Sequence, residues 1–358
     1  SFFAGLVDSE NFKVNGGQGS DGQVLTSTGS GVAWEDAAGG ATSLNGLSDA
    51  KTFGTSSIML GDASTGTIDA ANYNTGVGLD IFAALTSGDN NTVVGFNTGA
   101  ALTSGEQNTF IGTNAGQAVT TGDQSVAVGQ SALLVATTGN KNAMFGHRAG
   151  AALTTASEST FIGNEAGEST TTGANNVFVG HQAGEANTTG HSNVGIGNGA
   201  LDALTDGHSN TAVGYLAASS LITGSPYQTR NNVAIGREAL ETQATQEDNV
   251  CVGYQALGTG NSASNSQITS IGSQTANAAH AAYGGTYVGY TAGQAVTSGI
   301  HNTAIGRQAG SVTTTGSNNF FAGYQAGTSS SPGHVVGGAN HIVLGNSSIT
   351  NALIKVDW

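Results

Sequence analysis

Hydrophobic residues along most of this chain fall in short runs bounded by Asn and Gly, and not in the broad stripes of amphipathic helices. Asn91-Thr92-Val93-Val94-Gly95 is followed by Asn108-Thr109-Phe110-Ile111-Gly112, and the order then keeps returning. The glycine that closes each run stands at Gly61, Gly78, Gly95, Gly112, Gly129, Gly146, Gly163, Gly180, Gly197 and Gly214, each 17 residues after the last. After an interval of 22 the series resumes at Gly236, Gly253, Gly272, Gly289, Gly306 and Gly323, and it ends at Gly345. A β-branched or aromatic run between such residues predicts a strand. A fixed period predicts that each unit is one rung of a stack. The expected fold is therefore all-β: a parallel β-solenoid, or β-roll, of about seventeen rungs with a 17-residue repeat. No rung can fold alone, because ordering 17 residues costs roughly 17 to 34 kcal/mol at about 1 to 2 per residue. One or two buried aliphatic side chains return only about 1.5 to 3 kcal/mol each.

The columns of the repeat assign roles. The residue before the marker glycine is apolar in every unit, as in Val94, Ile111, Phe145 and Ile162, and is expected to be buried. The residue two before it faces the other way, yet is apolar too in Val93, Phe110, Met144, Phe161, Phe178, Cys251, Tyr287 and Phe321, with Ser270 the clear polar exception. A thin coil can enclose only one of these faces. The other needs a partner along its length, which predicts an oligomer packed lengthwise; a flattened coil that buries both faces itself is the alternative. Four residues before the glycine stands Asn, as in Asn91, Asn108, Asn142, Asn176, Asn193 and Asn210, where stacked amides can bond along the array. With marker glycines such as Gly95, Gly112, Gly146 and Gly180 they form the expected structural ladder. Ala recurs three residues after the marker, where only a small side chain fits, and Thr-Thr-Gly closes the unit, a bend with positive φ expected at its glycine.

Three intervals exceed 17 and predict loops bulging from bends near 221-230, 258-267 and 329-338; both prolines, Pro226 and Pro332, lie in the two longest. Residues 1-36 read as a hairpin knob or connector, with two apolar runs flanking a Gly-rich turn between Gly19 and Trp34. Residues 37-57 read as a linker, 58-345 as the repeat shaft, and 346-358 as a C-terminal segment.

Composition narrows the partners. Eight Lys+Arg against 23 Asp+Glu give a net charge of −15, which repels phosphate backbones and argues against nucleic acid. No apolar run approaches the ~20 residues of a membrane-spanning helix, so membrane insertion is not expected. The single Cys251 permits no disulfide within the chain.

Candidate chemistry is sparse. Gly195-Ile196-Gly197-Asn198-Gly199 lies in phase with the repeat, so it is not read as a dinucleotide loop. Glu165, Glu168, Glu185, Glu238 and Glu241 recur irregularly and read as solvated surface; no catalytic residue, metal ligand or cofactor is expected. A Thr row from Thr86 to Thr205 resembles those of ice-binding solenoids, although Thr at a bend is ordinary β chemistry. Directly after the marker stand Phe96, His147, His181, Tyr215, Arg237, Tyr254, Tyr290, Arg307 and Tyr324, and rings of this kind stack on sugars. Tyr215, Tyr254, Tyr290 and Tyr324, with Tyr227 and Arg230 from the Pro226 loop, are the candidate receptor- or glycan-binding residues.

Asn302-Thr303-Ala304-Ile305-Gly306-Arg307-Gln308-Ala309-Gly310 resembles the head repeat of trimeric autotransporter adhesins of the YadA type, although the unit here is longer. The stretch from Gly19 to Trp34 resembles segments of bacteriophage tail fibres, and Asn340 to Thr350 is similar to the segment before a self-cleaving intramolecular chaperone domain of such fibres. The resemblance implies a parallel homotrimer on a virion, attaching to a host cell-surface glycan or protein and joined to other fibre or tail proteins through its N-terminal region. A bacterial surface adhesin is the main alternative and a glycan-degrading tailspike a lesser one. The chaperone's catalytic residues are absent here, so none carry over.

Overall fold

The computed structural model describes residues 50–53, 56–61, 70–221, 229–241, 247–258, 266–279, 282–329 and 336–350, with the backbone of 13–14, 17–18, 23–27 and 32–36. Among the described residues there is no helix, and the shaft is a parallel β-solenoid of about fourteen turns with a 17-residue repeat. Most turns contribute one three-residue strand, such as Thr92–Val94, Thr109–Ile111 and Val126–Val128. Each strand pairs in register with the next, Val93 opposite Phe110 and Phe110 opposite Ala127. The longer intervals leave this register intact: Thr211–Val213 pairs with Val233–Ile235, Val250–Val252 with Thr269–Ile271, and Phe320–Ala322 with Ile342–Leu344. The inserted loops themselves lie largely outside the described residues.

At the N-terminal side Gln23–Ser27 pairs antiparallel with Val32–Asp36, Leu25 opposite Trp34, which is the expected hairpin. Ala50–Phe53, inside the span read as a linker, is a strand that pairs antiparallel with Ser57–Gly61, the first strand of the shaft. It covers a ladder edge that would otherwise present unpaired N–H and C=O groups.

The strand faces are the reverse of the sequence expectation. The column two before the marker lies inside, with Val93, Phe110, Met144, Phe161 and Phe178 fully buried. The column one before it lies outside: Ile111, Ile162 and Ile305 keep 39%, 41% and 45% of their surface, because stacked neighbours cover their flanks but not their outward tips. The parity of the strand explains the reversal. Asn at four before shares a face with the residue at two before, and a buried amide ladder needs backbone acceptors that only the interior supplies. Asn108 donates from Nδ2 to Gly122 O at 2.8 Å and to Asn91 Oδ1 at 3.1 Å, while its Oδ1 accepts from Ser125 N at 2.9 Å. The polar exception, Ser270, is buried as well, and its hydroxyl donates to the Thr275 carbonyl and hydrogen-bonds with the Thr275 hydroxyl.

Volume inside each turn is shared between the columns two before and four after the marker. Among the described residues, where the first is an aromatic ring or Met and both columns are seen, the second is Gly, as in Phe161 with Gly167 and Met144 with Gly150. Where the first is Ala or Gly, the second is frequently Leu, as in Ala127 with Leu133 and Gly195 with Leu201, all buried. A further interior column, seven after the marker, holds Leu85, Leu102, Val119, Leu153, Leu204 and Val296. The chain reaches it through overlapping turns, Ala115 N to Gly112 O, Gln117 N to Asn114 O and Val119 N to Gly116 O.

The marker glycine is required twice over. At Gly112 φ is +130°, and a Cβ would stand 2.7 Å from the carbonyl oxygen of Gly129 on the next rung. The closing-bend glycines differ from expectation: Gly122 and Gly139 do not have positive φ. Room, and not conformation, selects glycine there, since a Cβ on Gly122 would stand 2.6 Å from Gly139 O. The left-handed positions fall instead on Gln107 (φ 58°), Asn114 (φ 59°) and their equivalents along the coil.

Candidate functional site

The column directly after the marker glycine is an exposed row that runs with the stack. Its later part reads Tyr215, Arg237, Tyr254, Ser273, Tyr290, Arg307, Tyr324 on successive turns, so a tyrosine recurs on every second rung. The four rings keep between 40% and 50% of their surface. Each guanidinium lies between two rings: Arg237 is 5.7 Å from the centroids of both Tyr215 and Tyr254, and Arg307 is 5.9 Å from Tyr290 and 5.5 Å from Tyr324. Such contacts contribute ~0.5 to 1 kcal/mol at exposed sites, and they favour a guanidinium placed between its two rings.

The two stacks differ in charge balance. Arg237 bonds through Nε and Nη2 to Glu238 Oε1 at 2.9 and 2.8 Å, and this bond holds the guanidinium above its ordinary pKa. Among the described residues no carboxylate forms an ion pair with Arg307.

The structure thus brings together Tyr215 and Tyr254 around one arginine and Tyr290 and Tyr324 around another. Arg230 is not in this row. It stands six residues before its marker glycine, beside the stacked imidazoles of His191 and His208 (4.9 Å) and paired with Glu247 at 3.2 Å. Tyr227 lies outside the described residues. Sequence inspection finds the rings and cations in one column; what it does not supply is the sandwiching of each arginine, although their alternation at the repeat period is the readable signal.

Two other clusters have structural roles. Glu165, Glu168 and Glu185 bring ligand-capable oxygens within 4.8 Å of one another. Arg148 pairs with Glu168, and Gln182 donates to Glu165 at 3.0 Å, so the protein partly neutralises the group from within. Burial outweighs Arg148 and leaves the Glu168 pKa raised. In the Thr row each hydroxyl donates to the carbonyl of the next Thr, as Thr103 to Thr120 and Thr154 to Thr171, both at 3.0 Å. That row is part of the ladder.

Compared with known proteins, the chain matches no family model, and no curated protein or solved structure matches it.

Proposed function

We propose that this chain is a structural, host-attaching fibre protein: a rod of seventeen rungs that packs as a parallel homotrimer in a viral tail fibre and carries receptor-binding groups on its surface. The observation that carries the reading is the outward apolar column. Ile111, Phe145, Ile162, Ile196, Ile235, Ile271 and Ile305 recur on the exterior of a coil that already has its own filled core. A stripe of this kind, repeated rung after rung, is the surface that a soluble rod buries against further copies of itself. Its period matches only a partner with the same period, and a parallel copy has it. The resemblance to phage tail fibres at both ends of the sequence supports a virion location. The resemblance of Asn302 to Gly310 to an adhesin head repeat keeps a bacterial surface adhesin of the same architecture as the second reading. In either setting the role is attachment and not catalysis, and it uses no metal or cofactor.

Sedimentation equilibrium tests the assembly. The expected mass is three times the chain mass of 35.3 kDa, independent of concentration in the micromolar range. A monomer with the full stripe exposed would overturn the trimer. Binding of the labelled protein to intact bacterial cells tests the attachment role.

A further inference from the structure

We infer that the row from Tyr215 to Tyr324 is a linear track for an extended, acidic polysaccharide. The inference rests on the attachment reading and names the ligand class of that surface. Three observations carry it.

The first is the period. At ~4.8 Å per rung, tyrosines on every second rung stand about 9.6 Å apart. That is close to the length of one disaccharide unit in a flat, extended sugar chain, which offers the same C–H face at every second sugar. The four half-exposed rings are therefore in phase with such a chain over the whole row.

The second is chemistry. A stacked guanidinium keeps its N–H edge free to take a carboxylate or sulfate side-on. In a chain of net charge −15 with only eight Lys+Arg, two arginines stand in this row between rings. Arg307 forms no ion pair with a carboxylate of the described residues, so the row offers a positive group where most of the protein is acidic. The arginines are four rungs apart, two disaccharide lengths on the same scale, with Ser273 midway.

The third is rigidity. Each rung is fixed by in-register backbone pairing on both sides, as Val252 with Ile235 and Ile271, so the rings are held in place before a ligand arrives and little ordering opposes binding. A nucleic acid would also meet rings and arginines, but the surrounding charge repels its closely spaced phosphates.

The test is calorimetric titration of the full chain with size-defined hyaluronate oligosaccharides, which carry one carboxylate per disaccharide, and with neutral chito-oligosaccharides of equal length. Hyaluronate is expected to bind more tightly as its length grows to about six to eight sugars, the span of a row of ~29 Å at ~4.8 Å per rung. Arg307→Gln is expected to weaken hyaluronate at least tenfold and leave the neutral series unchanged. Arg237→Gln has a smaller effect, because Glu238 already engages that group. Tyr290→Ala weakens both series tenfold or more, and Tyr290→Phe restores them, which separates ring stacking from folding. The inference is overturned if hyaluronate does not bind, if both series bind equally and ignore Arg307→Gln, or if Tyr290→Ala alters the oligomeric mass, since the row is then a subunit contact. Cell binding that persists unchanged in these variants would overturn the track and leave the attachment role standing. A parent protein that binds hyaluronate but not cells would count against the attachment role and leave the track standing.

Discussion

Phe110 and Gly116, six residues apart on one turn, occupy a single volume: a Cβ on Gly116 would stand 2.6 Å from the Phe110 ring. One turn further on the same volume is divided the other way, with Ala127 opposite Leu133, and both arrangements leave no exposed core surface. Leu133 adopts φ 53° where Gly116 has φ 58°, so the backbone of this position accepts a side chain whenever the partner is small.

This exchange predicts a compensating pair. Gly116→Leu alone drives a side chain into the ring, and overpacking of this kind costs about 1 to 3 kcal/mol. Phe110→Ala alone empties the site at about 3 to 5 kcal/mol. The double substitution recreates the Ala127 and Leu133 arrangement and should recover most of both losses, so its denaturation midpoint should lie well above the sum of the singles. Strict additivity would show that the two residues do not share the space.

The Asn ladder predicts a graded series. Asn108→Leu leaves Ser125 N and Gly122 O buried without their side-chain partner, at about 1 to 3 kcal/mol for each orphaned group. Asn108→Ser should cost less, because Ser125 and Ser159 occupy the same column, and each hydroxyl accepts from the Asn N–H of the next rung, at 3.2 Å for Asn142 and 3.3 Å for Asn176. Equal melting temperatures for Asn108→Leu and the parent would show that the ladder is dispensable.

The repeat made the architecture readable before any coordinates. The constant interval between glycines sets the rung, the Asn column sets the ladder, and Gly19 to Trp34 marks the hairpin. Which face points inward was not readable from polarity, since Val93 and Val94 are the same residue on opposite faces. The deciding signal was parity: Asn91 and Val93 share a side, and a repeated Asn that must find backbone acceptors selects the interior. Leu102 and Val119 were missed because they stand singly among polar residues, where an apolar column shows only after the units are superposed. The row of Tyr215, Tyr254, Tyr290 and Tyr324 was visible as a column. Its arginine sandwiches depend on rung-to-rung distances that no linear pattern contains.

The outward column predicts a separation of assembly from folding. Ile162→Lys with Ile196→Lys places two charges on the stripe at residues already about 40% exposed, so each turn should fold as before. Mass photometry should then show dissociated chains with an unchanged circular dichroism spectrum. A double substitution that retains the parent mass would move the interface elsewhere on the rod.

Cys251 should behave as a core residue and not as a reactive thiol. It is fully buried between Ala234 and Ser270 of the flanking rungs, and burial pushes its pKa far above the ordinary thiol range. Thiolate is the nucleophile, so reactivity is suppressed twice. A disulfide reagent should label it only at the rate of local unfolding, and stoichiometric labelling of the native protein within seconds would contradict the packing.

Acidity should strengthen the shaft around the carboxylate column. Asp202 is half-buried, and burial, reinforced by Glu185 on the preceding rung, pushes its pKa from 3.8 up to about 6. Burial raises Glu168 and Glu241 as well. Between pH 3.8 and about 6 the folded chain therefore holds a proton at Asp202 that the unfolded chain has released, and stability rises as pH falls through that window. His208 acts in the opposite sense: burial, the stacked His191 and Arg230 lower its pKa, so the unfolded chain takes up a proton first and acidification below 6.5 is unfavourable there. Asp202→Asn separates the two, because the amide mimics the protonated carboxyl at every pH. The variant should melt above the parent at pH 7.5, converge with it near pH 4, and leave a residual slope set by Glu168 and Glu241 against His208. An Asp202→Asn protein that melts below the parent at pH 7.5 would mean that the adjacent backbone favours the carboxylate in place more than burial disfavours it.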